Sequence, residues 1–296
     1  MKHLSRLSFF QRSSEPTSQT RNEPEIDSAT SNDKISWPGF NSLKSIFVFG
    51  DSYSAFGSPG KPRPPTKINR NTVPHDDNGT NWVGFLLMDD CCHRKLVVHD
   101  YAVGGARVPA VGWGAAVETQ VDVDFLTGYP MQRKWKKLPW DSADSLFVTW
   151  VGINDCAYAQ THEDTLALLF VLQEKLYAAG ARLFLFIDVP PIGRTPAGAK
   201  ASSDISTTYL NWNSSLRDSV QKFSSAHPDA RVLTFSAFDA FNRILDNLGE
   251  HGIPEEDASR SGGTVWRDHL HPTSKIHQIF ARDLVEFLKG ANAEDS

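Results

Sequence analysis

The chain has 296 residues and a formal net charge of −5, a length that suits one large domain or two small ones. Hydrophobic residues at 40%, charged residues at 22% and aromatics at 11% are the balance of a soluble globule with a real core. The acidic balance carries no basic stripe for nucleic acid or an anionic membrane surface, no apolar run approaches the ~20 residues of a spanning helix, and three cysteines, Cys91, Cys92 and Cys156, form neither a disulfide framework nor a zinc quartet.

Taken from its start, the chain opens on a basic residue followed by Leu4, Leu7, Phe9 and Phe10, interrupted by Ser5, Arg6 and Ser8. That pattern lacks the apolar stretch of ~7–15 residues that marks a secretory signal, so the expected location is cytoplasmic or otherwise intracellular. Residues 1–38 are polar without a periodic apolar face and are expected to be disordered. Residues 39–289 are expected to fold, and 290–296 to form a flexible tail.

Within the folded part, short apolar runs predict strands at 46–49, 96–98, 146–150, 183–187 and 231–235. Unbroken runs of this kind suit strands covered on both faces. The stretch 56–80, with Pro59, Pro62, Pro64, Pro65 and Pro74, reads as a long irregular loop, either a wall of a substrate pocket or a solvated insertion. Thr161 is placed to cap a helix whose apolar face is Leu166, Leu169, Phe170 and Leu176 and which Gly180 ends. Pro272 suits a helix start, followed at helical spacing by Ile276, Ile279, Phe280, Leu284, Phe287 and Leu288. Strands alternating with helices predict an α/β sandwich around a parallel sheet.

In such sheets, sites form beyond the carboxyl ends of the strands. Those ends carry Gly50-Asp51-Ser52, then Asp100 to Ala106 with Gly104-Gly105, then Gly152-Ile153-Asn154-Asp155; Asp268-His269-Leu270-His271 precedes the last helix. A serine hydroxyl needs a base within hydrogen-bond reach, and His271 can supply it. Asp268, three residues earlier, can take the Nδ1 proton of His271 and fix its tautomer. The Ser52 and Gly105 N–H groups and the Asn154 amide can stabilise an oxyanion. Asp155 is expected to bond backbone groups. Tyr53, Trp82, Trp113 and Trp266 are candidates to line a pocket. Asn78-Gly79-Thr80 and Asn213-Ser214-Ser215 fit the glycosylation pattern.

These blocks, with the phrases Phe47 to Ser54, Asn78 to Val83 and Trp266 to Thr273, resemble the signature blocks of the GDSL, or SGNH, hydrolases, over roughly residues 44–288. They are most like fungal acetylesterases of the sixteenth carbohydrate esterase family. The resemblance implies a flavodoxin-like three-layer α/β/α fold with a five-stranded parallel sheet. It implies Ser52, Asp268 and His271 as catalytic residues, Ser52, Gly105 and Asn154 as the oxyanion hole, and no cofactor. One departure is Asp100, where the family block often opens with Asn.

Rival readings fit less well. An α/β-hydrolase needs a Gly-x-Ser-x-Gly elbow, and a dinucleotide-binding protein needs more than Gly104-Gly105-Ala106. A metal held by Asp268, His269 and His271 lacks a further ligand cluster. The expected activity is hydrolysis of a small-molecule ester with a short acyl group, acetyl above all, on a carbohydrate. The alternatives are a lysophospholipase or thioesterase for longer chains, and a binding protein on the same scaffold.

Overall fold

Apolar runs between turn formers build the centre of the protein as a sheet buried on both faces. The computed structural model describes residues 36–56, 66–72, 80–88, 95–111, 115–128, 140–159, 161–201 and 205–291, all in the unit Asp33–Ser296. Most of the expected disordered segment and tail, all five prolines of the 56–80 stretch, Asn78, Gly79, Cys91, Cys92 and Trp113 lie outside these residues.

The strands β1 (Ser45–Gly50), β2 (Thr66–Asn69), β3 (Val97–Asp100), β4 (Ser145–Trp150), β5 (Leu183–Ile187) and β6 (Arg231–Phe235) form a six-stranded sheet in the order β2-β3-β1-β4-β5-β6. The five strands expected from the sequence are all present and parallel. The sixth, β2, is a correction. It lies inside the stretch read as irregular and pairs antiparallel with β3 at the sheet edge. Ile68 is buried there and Lys67 exposed. Four residues with one core contact are too short a signal to rise above loop composition, and an exposed lysine is a common guard on an edge strand.

Among the described residues seven helices follow: α1 (Trp82–Met88), α2 (Val117–Thr119, continuing as a π-helical turn over Gln120–Phe125), α3 (Ile153–Tyr158), α4 (Glu163–Ala178), α5 (Ser206–Ala226), α6 (Ala237–Asp246) and α7 (Ser274–Gly290). The step from β1 to β3 runs one way across the sheet and the later steps run the other way. Right-handed crossovers therefore put α1 on one face and α2, α4 and α5 on the other. The packing agrees: α7 lies on α1 and α6, while α4 lies on α2 and α5. The result is a three-layer sandwich. Among the described residues no helix is long and apolar enough to cross a membrane.

Local expectations need small corrections. Helix α4 begins after His162, and neither that residue nor Thr161 caps it through a side chain. Its end is as expected: Gly180 sits at φ 106, its N–H bonds Tyr177 O, and Ala181 N–H bonds Leu176 O, a left-handed helix stop. Helix α7 begins one residue beyond Thr273, so Pro272 lies outside it. Its buried stripe is Ile276, Phe280, Leu284 and Leu288, with Ile279 and Phe287 packed at the margin. The packed chain passes both expected bounds of the domain. Trp37 is buried and donates Nε1–H to Leu288 O, and Ala291 is also buried. Asn213 is no surface acceptor for a glycan: it is buried in α5 and holds both the N–H and the C=O of Val189.

Gly152 follows β4 at φ 127, and a Cβ there would sit 2.3 Å from the Trp212 indole. Backbone strain and overpacking then act together. Gly152→Ala is expected to lower unfolding free energy by about 2–5 kcal/mol, measured as a denaturant midpoint; an unchanged midpoint would contradict this packing.

Candidate active site

Strand order reverses between β1 and β4, and ligands of open parallel sheets bind outside the carboxyl ends at such a switch point. The strand ends come very close here. A Cβ on Gly50 would lie 2.2 Å from Trp150 O, so only glycine fits. Past that contact the chain turns sharply. Ser54 and Ala55 N–H groups bond Asp51 O, and Tyr53 N–H bonds Asp51 Oδ1 at 3.0 Å. Ser52 rides on this turn, half-buried.

The second turn carries the base. Arg267 N–H bonds His271 O, and Thr273 N–H bonds Val265 O, which closes a loop around Asp268. Asp268 Oδ1 accepts from Leu270 N–H and His271 N–H, both at 2.8 Å, the usual way an aspartate organises a turn. His271 Nδ1 lies 2.9 Å from Asp268 Oδ2, and His271 Nε2 lies 2.8 Å from Ser52 Oγ. Partial burial pushes the Asp268 carboxyl up, but the two backbone N–H groups and the imidazole outweigh it and hold the carboxyl at about 2. Folded and unfolded states then differ in the usual carboxylate direction. The stabilisation is present above the unfolded value and is lost as pH falls through about 2. Across pH 4–8 Asp268 stays a carboxylate.

The third part is the loop after β3. Gly105 has φ 77, a backbone shape that glycine adopts at little cost. A Cβ on Gly104 would be 3.8 Å from Ser52 Cβ, so this loop flanks the serine. Asn154 Nδ2 donates to Ala106 O at 2.9 Å and lies 3.5 Å from Asp51 Oδ2. The second contact is at the limit of a hydrogen bond, so one amide hydrogen is held firmly and the other only weakly. Asp155 Oδ1 accepts from Val108 N–H at 2.9 Å, the backbone role expected for it. Neighbouring residues of α3 thus hold the chain just past the two glycines, at Ala106 and Val108. Neither Ser52 N–H nor Gly105 N–H is taken by a protein acceptor among the described residues.

Burial raises the carboxyls beneath the site. Asp51 is pushed up to about 7, with Asp155 adding to the rise and the Tyr53 N–H opposing it. Asp155 rises to about 6 and Asp100 to about 7, again through burial and against backbone N–H bonds. Asp100, the departure from the family block, accepts from Phe56 N–H and Ala102 N–H. It ties the nucleophile turn to the glycine loop.

Three of the four aromatics expected to line a pocket are core residues instead, the fourth, Trp113, lying outside the described residues. Tyr53 and Trp266 are 1% exposed and Trp82 is 0%, so none offers a face to a ligand. Their polar tips are spent internally: Trp82 Nε1–H on Ser54 Oγ, Trp266 Nε1–H on Ala258 O, and Tyr53 O–H on Leu270 O at 2.8 Å. Tyr53 thereby braces the serine turn against the histidine turn. His269, the other imidazole of that turn, is exposed and offers its backbone C=O to Ala197 N–H. Sequence reasoning missed Gln120. It is 1% exposed, accepts from Gly50 N–H at 2.9 Å and donates to Gly50 O at 2.8 Å. The available signal was a glutamine on the buried side of a helix, beside Val117 and Val121.

Residues 46–284 match the model of the GDSL-like lipase/acylhydrolase family. An acetylesterase of Thermothelomyces thermophilus is 28% identical over 272 residues, 84% of this chain and 90% of that protein. The secreted effector protein SseJ of Salmonella typhimurium is 22% identical over 71% of this chain and 54% of its own length. Among solved structures, a catalytic mutant of Axe2, an acetylxylan esterase from Geobacillus stearothermophilus, superposes with a TM-score of 0.53 at 14% identity, covering 83% of this chain and 94% of that one. At that identity the likeness bears on the fold.

Asp268→Asn separates the turn from the chemistry. An asparagine Oδ1 still accepts the two backbone N–H groups, while its Nδ2 meets His271 Nδ1 with a donor and favours the wrong tautomer. The variant is expected to stay folded at pH 7, with a lower unfolding temperature because the stabilisation of the charged carboxylate is gone, and to lose about ten-thousand-fold in kcat on an acyl ester. Wild-type kcat would contradict the arrangement.

Proposed function

The chain belongs to the GDSL-like lipase/acylhydrolase family and is a carboxylic ester hydrolase, and we propose that it cleaves short acyl esters, acetyl esters of carbohydrates above all, through a Ser52–His271–Asp268 triad. The observation that carries this reading is the unbroken path from Ser52 Oγ to His271 Nε2 at 2.8 Å and from His271 Nδ1 to Asp268 Oδ2 at 2.9 Å. The 28% identity to an acetylesterase supports the acetyl group.

In this mechanism Ser52 Oγ attacks the carbonyl carbon as its proton passes to His271 Nε2. The carbonyl oxygen takes up negative charge and is held by Ser52 N–H, Gly105 N–H and the Asn154 Nδ2 hydrogen that faces Asp51 only weakly. Donors fixed before the reaction are what makes such a hole effective. His271 then gives its proton to the leaving alcohol oxygen, and the tetrahedral species collapses to an acyl-serine. Water enters, His271 takes one of its protons, and the second collapse releases the acid and restores Ser52. His271 must begin neutral to take the serine proton, while Asp268 stays ionised.

Hydrolysis of p-nitrophenyl esters of rising acyl length tests this reading. Acetate is expected to give the highest kcat/KM, and Ser52→Ala to abolish turnover while the protein stays folded. Asn154→Ala is expected to lower kcat by about a hundred- to a thousand-fold. Preference for long acyl chains, or turnover by Ser52→Ala, would overturn it.

A further inference from the structure

Tyr158 is 77% exposed, the highest exposure among the large hydrophobic residues described. Burying such a ring is favourable and leaving it in water is not. It lies on α3 four residues after Asn154, and residues four apart share one face of a helix. Helical side chains also lean toward the preceding turn, which here is the turn carrying Asn154. From the other side, the Arg107 guanidinium carbon lies 5.1 Å from the centre of the Tyr158 ring, within cation–π range.

Arg107 itself stands two residues after Gly105. Its backbone is fixed: Arg107 N–H bonds Ala115 O, and Val117 N–H bonds Arg107 O. The two residues come from separate segments, and each follows one of the oxyanion donors. They meet with the guanidinium over the Tyr158 ring, two residues beyond Gly105 and one helical turn beyond Asn154, and most of the ring stays open to solvent.

Resting on the esterase reading above, we infer that Tyr158, backed by Arg107, is a binding subsite for the ring of the substrate alcohol. An acetyl group is too small to reach beyond the oxyanion donors, so a ring placed there belongs to the alcohol. A pyranose presents an apolar face of C–H groups and polar edges. The open face of Tyr158 matches the first, and the Arg107 N–H groups that the ring leaves free match the second. The guanidinium also fixes the orientation of an otherwise mobile ring, which reduces the ordering cost of binding.

The test compares two acetates: methyl acetate, which has no ring, and a monoacetylated methyl xyloside. Tyr158→Ala is expected to raise KM for the sugar ester about tenfold, with kcat unchanged, because uniform binding is lost. The same variant is expected to leave methyl acetate kcat/KM within about twofold of wild type, and Tyr158→Phe, which keeps the ring, to behave as wild type on both. Tyr158 is exposed, so its truncation opens no cavity, and the ringless substrate reports any general damage. Equal effects on both esters, no effect on either, or a wild-type enzyme that cleaves methyl acetate and rejects the sugar ester would overturn the subsite. Turnover of methyl acetate by wild type stands apart from all of these and bears on the esterase reading alone.

Discussion

The close approach of β1 and β4 at their carboxyl ends governs what is built above them. Gly50 lies so near Trp150 O that no side chain fits; its C=O accepts from Val103 N–H just past the end of β3, while its N–H faces a place where β3 offers no acceptor. A buried backbone group without a partner costs about 1–3 kcal/mol. Gln120 resolves this by offering an amide in place of the missing strand. The chain after β3 stays bonded to β1 through Tyr101 N–H on Val48 O and Val103 N–H on Gly50 O, and then turns away as the loop of Gly104 and Gly105. Asn213 does the same for Val189 just past β5. In both places a buried side-chain amide finishes a ladder that the strands leave incomplete.

Around that frame, the site is three turns tied to one another by polar groups. Asp100 joins the serine turn to the glycine loop, Asn154 and Asp155 hold that loop from α3, and Tyr53 braces the serine turn against the histidine turn. Holding buried carboxylates in this way is costly, and the raised pKa values of Asp51, Asp100 and Asp155 record the cost. Asp268 differs because it is partly exposed and accepts three hydrogen bonds, so it alone of the four is held below the ordinary carboxylate range.

Much of this was legible in the sequence, for a physical reason. Parallel strands buried on both faces are unbroken apolar runs, and the residues that follow them share one edge of the sheet. Ser52, Gly105, Asn154, Asp268 and His271 could therefore be placed together before any coordinates. What escaped lay where composition is ambiguous. Tyr53, Trp82 and Trp266 are large, apolar and polar-tipped, which suits a pocket wall and a braced core equally well. Strand β2 is too short to show a period, and Thr161 looked like a cap only because helix starts are uncertain by a residue or two. Gln120 pairs with a residue 70 positions away, a contact that no local pattern reveals.

The central claim is that Ser52 is made nucleophilic by His271. Reaction with an alkyl fluorophosphonate tests it directly, because the activated hydroxyl displaces fluoride and keeps the phosphonyl group. Intact-mass and peptide analysis of the full chain is expected to find one adduct, on Ser52, and almost none over the same time in His271→Ala. A folded protein that forms no adduct, or one labelled equally well without His271, would contradict the account.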